Sequence, residues 1–196
     1  MPKEDWKKDN VQKMFEGYGL YPTGKIRTVL DLGCGLSFKA QYIDAIIRVG
    51  VDVYPPYLVQ ARKQMVMKDP YVLIKANILD VDKLFLPKSF DLVIIMGTLE
   101  HLLKRDSLRL LEIAETIAGE AVIVDVPKGF IPQNIDILGF GAHSLQTHRS
   151  AWEPIDFTEL GYKVFVRDYV QSDVKRHTDI EVDPKCQIID AIKLLL

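Results

Sequence analysis

Residues 29–37 read VLDLGCGLS: an apolar opening, an acid at Asp31, then Gly33 and Gly35 on either side of a cysteine. The pattern is that of a strand ending in a tight turn that leads into a helix. In open α/β sheets, ligands bind beyond the carboxyl ends of strands, where the strand order reverses. Two ligand classes compete for such a turn. A dinucleotide fingerprint needs a third glycine three residues after Gly35, and Phe38 stands there. Asp31 would repel a pyrophosphate and attract a cationic amino group. A plain strand-to-helix corner accounts for the glycines but not for the acid. The stretch therefore favours a nucleoside cofactor carrying an ammonium group.

Working outward, Asp52 closes a second apolar run, RVGVDVY, about 20 residues beyond Asp31, where an acid commonly accepts a ribose diol. Its competing role is to cap a helix starting at Pro56. Strands are expected at Thr28–Leu32, Ile47–Val53, Tyr71–Ala76, Phe90–Met96, Ala121–Val126, Tyr162–Val170 and Gln187–Leu195. Several are apolar on both faces, as parallel strands covered on each side are. Helices are expected near Lys3–Glu16, Ser37–Asp44, Pro56–Lys68, Asp106–Ala118 and Pro154–Leu160, with Gly119 as a stop for the fourth. SAWE at 150–153 matches a capping box but puts Pro154 where a helical N–H is needed, so that match is set aside. The fold class is α/β: a Rossmann-like three-layer sandwich whose mostly parallel seven-stranded sheet ends in an antiparallel hairpin.

The chain has 196 residues, enough for one domain with a substantial core, and is 48% hydrophobic and 27% charged. A formal net charge of −2 argues against coating nucleic acid by electrostatics. Cys34 and Cys186 have no metal-type or disulfide-framework spacing. No apolar leader or membrane-length run is visible, so a cytoplasmic protein is expected.

VLDLGCGLS, GVDVYPPYLVQAR and FDLVIIMGTLEHL, in that order and spacing, resemble the motifs of the class I S-adenosylmethionine-dependent methyltransferases, in their small-molecule, type 11-like subgroup. The resemblance spans essentially the whole chain as a single domain, with a helical lid over about residues 1–24 and a substrate-side insertion over about 127–153. It implies S-adenosyl-L-methionine as cofactor. Asp31, Gly33, Cys34 and Gly35 would hold its methionine end, and Asp52 with Val53 its ribose. Asn77 and Ile78 would border the adenine, with Asp80 as the competing choice. Met96, Gly97 and Leu99 would lie near the sulfonium. The family often has a third glycine where this chain has Ser37.

DVYPPY at 52–57 is close to a motif of amino-group nucleic-acid methyltransferases, but that motif works at the exit of the fourth strand, which here reads MGTLEHL. Pro55 and Pro56 are better read as a helix start. Glu100 and His101 follow the fourth strand, and His101 suits a general base, although both could equally fix a loop. Similar LEH segments occur in metal-dependent RNA 2′-O-methyltransferases, which use an extra carboxylate at the position of Gly97. Its absence leaves no metal site expected.

The long connection from 127 to 153 carries His143, His148, Arg149 and Trp152. His148 is a second candidate base. His143, Arg149 and Trp152 are candidate substrate contacts, with Trp152 alternatively packing under the loop. Trp6, Tyr18 and Tyr21 would belong to the lid. The expected function is methyl transfer to a small-molecule acceptor, at oxygen, by a monomer or homodimer, with no membrane or nucleic-acid partner. The alternatives are a nicotinamide-dependent oxidoreductase, a metal-assisted RNA 2′-O-methyltransferase and a non-catalytic cofactor-binding subunit.

Overall fold

The computed structural model describes residues 26–36, 39–64, 70–168 and 186–195, together with 16, 19 and 22. The expected N-terminal lid with Trp6, Tyr18 and Tyr21, the third-glycine position Ser37 and residues 169–185 lie outside them.

The strands are β1 (Thr28–Leu32), β2 (Ile47–Asp52), β3 (Tyr71–Lys75), β4 (Phe90–Met96), β5 (Ala118–Pro127), β6 (Lys163–Asp168) and β7 (Gln187–Leu194). The helices are α1 (Pro55–Gln64), α2 (Lys104–Ile117) and α3 (Pro154–Thr158). One sheet runs in the order β3-β2-β1-β4-β5-β7-β6. The first five strands pair in parallel, and β7 lies antiparallel between β5 and β6. This is the expected Rossmann-like layout, closing hairpin included. The strand order reverses between β1 and β4, which places the switch point at the exit of VLDL.

Alternation along the strands builds both faces. Leu30, Leu32, Val93, Ile95, Val122 and Val124 pack against Leu110, Leu111, Ala114 and Ile117 of α2 and against Trp152 and Phe157. On the opposite face Val29, Leu92, Ile94, Ala121 and Ile123 pack with Ile26, Ala40, Ile43 and Ile192. Asp31 has the parity of Val29, so an acid sits at the end of an otherwise apolar row.

Several boundaries differ from expectation by a few residues, and two of the differences have a plain structural cause. The helix expected at Ser37–Asp44 is, among its described residues, a 3₁₀ turn at Ala40–Tyr42. The buried Arg48 of β2 donates to the carbonyls of Ala40 and Ile43, ending the turn so that the chain can enter β2. Gly119 is not a helix stop, because α2 passes directly into β5 through the extended Ala118 (φ −73°, ψ 139°). Gly119 sits at a register shift between β4 and β5, where an added Cβ would lie 3.4 Å from the Phe90 carbonyl. Before α3, Asp156 reaches back to accept the N–H of Glu153 at 2.7 Å, so the reciprocal contact falls at 153–156 rather than in SAWE.

Candidate functional site

At the exit of β1, Gly33 (φ +77°) and Gly35 (φ +48°) adopt left-handed backbone. The N–H groups of Gly33 and Cys34 both donate to the Val51 carbonyl, at 2.9 and 3.1 Å, which folds the turn back over β2. A Cβ on Gly33 would meet Thr98 Oγ1 at 2.4 Å, so the turn is pressed against the exit of β4. Cys34 is buried, with its Sγ 2.9 Å from where Gly50 would carry a Cβ. Any cofactor contact it makes is through its backbone.

Asp52 ties the turn to α1. Its Oδ2 accepts the Gly35 N–H at 2.9 Å and its Oδ1 the Tyr54 N–H at 2.8 Å. Burial raises its pKa, and the N–H donors work against that rise. Asp31 is 3% exposed, and burial, then the nearby Asp52 and Asp125, push its pKa up to about 8. Lys39 and the Tyr71 hydroxyl offset part of this. Asp125, at the end of β5, lies 3.9 Å from Lys39 Nζ and 3.7 Å from Arg167. Three carboxyl groups thus gather around one turn, and their mutual repulsion favours a cation among them. Asp125 escaped the sequence reading, although VIVDV carries the same signal as VLDL and GVDV, an acid closing an apolar strand.

The adenine-side residues divide. Asn77 is exposed, and its side chain accepts the Leu79 N–H at 3.1 Å, capping a 3₁₀ helix at Ile78–Lys83. Ile78 turns its side chain into the core, which leaves only its backbone for a ligand. Asp80 pairs with Lys83. Val53 is exposed. Near the expected sulfonium position, Met96 is half-buried and Gly97 is exposed with φ +60°. Leu99 does not line the site as expected: its side chain is fully buried in the α2-side core, because its 3₁₀ turn must plug the gap between β4 and α2.

The turn after β4 and the segment HRSAW, distant in sequence, form one unit. The N–H groups of Arg149 and Ser150 donate to the Glu100 carbonyl at 2.7 and 3.3 Å. The hydroxyls of Ser107 and Ser150 donate to the Leu99 carbonyl, and Trp152 Nε1 donates to Ser150 Oγ. Trp152 has no exposed surface, stacks on Phe157 and carries Lys104 Nζ 3.5 Å above its ring. It is a core residue, and the expected substrate contact is corrected accordingly: the ring anchors the segment that carries His148.

That anchoring brings His148 to His101, with ring centroids 4.9 Å apart. His148 Nδ1 lies 2.6 Å from the Ile131 carbonyl. Burial pushes the His101 pKa down to about 4, helped by His148, and burial lowers His148 as well. Both imidazoles are therefore neutral at pH 7. Burial pushes Glu100 up to about 8, with Asp125 adding to the rise.

The insertion straps itself across the glycine turn. Tyr57 Oη donates to Asp136 Oδ1 at 2.6 Å, and the N–H groups of Leu138, Phe140 and Ala142 also donate to this carboxylate. Burial would raise the Asp136 pKa, but these donors hold it below the usual carboxylate range. Tyr54 Oη donates to the Phe140 carbonyl, and Leu36 of the turn packs with Tyr57 and Ala142. His143 is exposed and accepts the Asp136 N–H through Nδ1, while Arg149, also exposed, donates to the Ser144 carbonyl. Neither Asp136 nor Tyr57 was legible as part of the site, since their pairing depends on how the insertion returns over α1.

A family model described as a methyltransferase domain matches residues 29–119. No curated protein matches the sequence significantly. Among solved structures, a SAM-dependent methyltransferase from Archaeoglobus fulgidus is 17% identical with a TM-score of 0.57, covering 95% of this chain and 94% of that one. Magnesium protoporphyrin IX methyltransferase from Synechocystis, with bound SAM, is 14% identical with a TM-score of 0.58, covering 96% and 78%. The N-methyltransferase NodS from Bradyrhizobium japonicum, in complex with S-adenosyl-l-homocysteine, is 12% identical with a TM-score of 0.59, covering 88% and 79%. No helix among the described residues is long and apolar enough to cross a membrane. The family model thus matches the segment from β1 through α2, and over nearly its full length the chain has the class I fold seen in solved S-adenosylmethionine-dependent methyltransferases.

Proposed function

We propose that the chain transfers a methyl group from S-adenosylmethionine to a small-molecule acceptor, at an oxygen atom. The observation that carries this is the gathering of Asp31, Asp52 and Asp125 around a two-glycine turn at the switch point of the sheet. A carboxyl whose ionisation is opposed by burial and then by its acidic neighbours fits an ammonium group, which would relieve the repulsion, and does not fit a pyrophosphate. Asp31 and the turn backbone would hold the amino-acid end, Asp52 the ribose, and Asn77 with the Ile78 backbone the adenine edge.

When bound, the cofactor supplies an electrophilic methyl group on a sulfonium. The chain contributes positioning, which alone can account for a large part of such a rate. The neutral His101 and His148 stand beside the turn after β4 and can accept the proton of an acceptor hydroxyl at a ring nitrogen. The strap from Asp136 to Ala142 narrows the approach over the glycine turn, which suits a small acceptor. His143 and Arg149, exposed on the same insertion, would contact it. Fold neighbours include an N-methyltransferase and a porphyrin methyltransferase, so the preference for oxygen rests on the histidine pair.

Thermal-shift and calorimetric titration with S-adenosylhomocysteine and with NADH test the reading, followed by transfer of labelled methyl to a panel of hydroxylated acceptors. Stabilisation by S-adenosylhomocysteine and label in an oxygen-linked product are expected. Stabilisation by NADH alone would overturn it.

A further inference from the structure

We infer that Glu100, His101 and His148 form a site for one divalent first-row transition-metal ion. One ligand atom from each lies within 4.8 Å of the others. Among the described residues they are the group of His, Cys, Asp and Glu side chains that meet in this way. From the sequence no metal is expected, because a hard cation needs a further carboxylate where Gly97 stands. The donor set assembled by the fold is different in kind. Two imidazoles and one carboxylate suit zinc or manganese rather than magnesium or calcium, and three such ligands are a complete protein set for an open zinc site.

Three independent observations support it. Glu100 is 5% exposed, and its Oε2 is buried without a partner, as is His101 Nδ1. Buried polar atoms are normally satisfied, so an orphan on each of two side chains of one such cluster points to a missing ligand. His148 is already set for ligation, because Nδ1 beside the Ile131 carbonyl at 2.6 Å must carry the hydrogen, which leaves the Nε2 lone pair free. Such a backbone partner on the second nitrogen is the usual support of a metal-bound histidine. Finally, an added Cβ at Gly97 would lie 3.7 Å from Glu100 Oε1, so the glycine leaves that flank of the carboxylate open. With an ion bound, the two imidazoles would serve as ligands and no longer as proton acceptors, and the open coordination positions would polarise an acceptor hydroxyl in their place. The role beside the acceptor rests on the methyltransferase reading; the binding of the ion does not. Metal–ligand bonds of about 2.0–2.2 Å require the three atoms to close in, which rotation of the histidine side chains supplies.

The test is calorimetric titration of the chelator-treated full chain with zinc, manganese and magnesium in turn, without any cofactor. One equivalent of zinc or manganese should bind, with magnesium much weaker. Glu100→Gln, His101→Ala and His148→Ala should each weaken binding by more than the roughly 10–100-fold that loss of a mere supporting contact costs. His143→Ala, on the same insertion but outside the cluster, should keep it. Cobalt in place of zinc should give visible absorption that the His148→Ala protein loses. S-adenosylhomocysteine binding by each variant reports that it has folded and tests the cofactor site separately. No stoichiometric zinc or manganese binding, or binding indifferent to Glu100→Gln and His148→Ala, overturns the inference while leaving the cofactor reading intact.

Discussion

Gly33→Ala is the substitution whose cost the structure specifies most fully. Gly33 has φ +77°, where a non-glycine residue loses about 1–2 kcal/mol. Its new Cβ would stand 2.4 Å from Thr98 Oγ1 and 2.6 Å from Thr98 Cγ2, far inside contact distance. Relieving such overpacking costs typically about 1–3 kcal/mol. The sum, about 2–5 kcal/mol, is a large part of the roughly 5–15 kcal/mol that holds a domain together. For a chain of this size it corresponds to a fall in Tm of roughly 4–20 °C. Urea denaturation of wild type, Gly33→Ala, Thr98→Ala and the double variant separates the two contributions. Thr98→Ala removes the two closest contacts, leaving its own Cβ at 3.1 Å and the backbone strain in place, so the double variant should recover part of the loss and show a coupling energy above about 0.5 kcal/mol. A Gly33→Ala protein as stable as wild type, or strictly additive effects, would refute the packing of the β1 turn against the β4 exit.

The pH dependence of Asp31 is a second test. Its folded pKa of about 8 lies above the usual carboxylate value, so between those two pH values the folded state binds the extra proton and stability falls as pH rises. Asp31→Asn should flatten the fall between about pH 4 and 8, and an unchanged slope in denaturation curves would contradict it. Trp152→Ala should cost about 3–5 kcal/mol by the same assay. A raised KM at unchanged stability would instead restore Trp152 as a substrate contact. Tyr57→Phe deprives the buried Asp136 carboxylate of a donor, a loss of about 1–3 kcal/mol, and should open residues 134–142 to limited proteolysis. An insertion as resistant as wild type would show that the strap does not depend on this bond.

The layout of the sheet was legible because strands covered on both faces leave a signal in each short window. The apolar runs at 28–32 and 90–96 end where the structure ends them, and the acids closing VLDL and GVDV mark the site's edge. What local pattern could not supply was the direction of side chains in the turns. Leu99, Ile78 and Trp152 are apolar residues beside a site, and whether each faces ligand or core depends on the helix or loop packed behind it. Gly119 carried a strong helix-stop signal that a register shift with β4 overrode. The meeting of His101 with His148 needed the HRSAW segment to return across 47 residues of chain to the carbonyls of Leu99 and Glu100. The two motifs were visible separately, and their union is a product of tertiary structure.

The claim on which the rest depends is that the acidic, two-glycine turn at the end of β1 receives a cationic nucleoside cofactor. Calorimetric titration of the full chain with S-adenosylhomocysteine, for wild type and for Asp52→Ala, tests it most directly. The account predicts one-to-one binding by the wild type and a loss of at least about tenfold for Asp52→Ala in a protein that remains folded, about 1.4 kcal/mol or more. Absence of wild-type binding, or an Asp52→Ala protein of undiminished affinity, would contradict it.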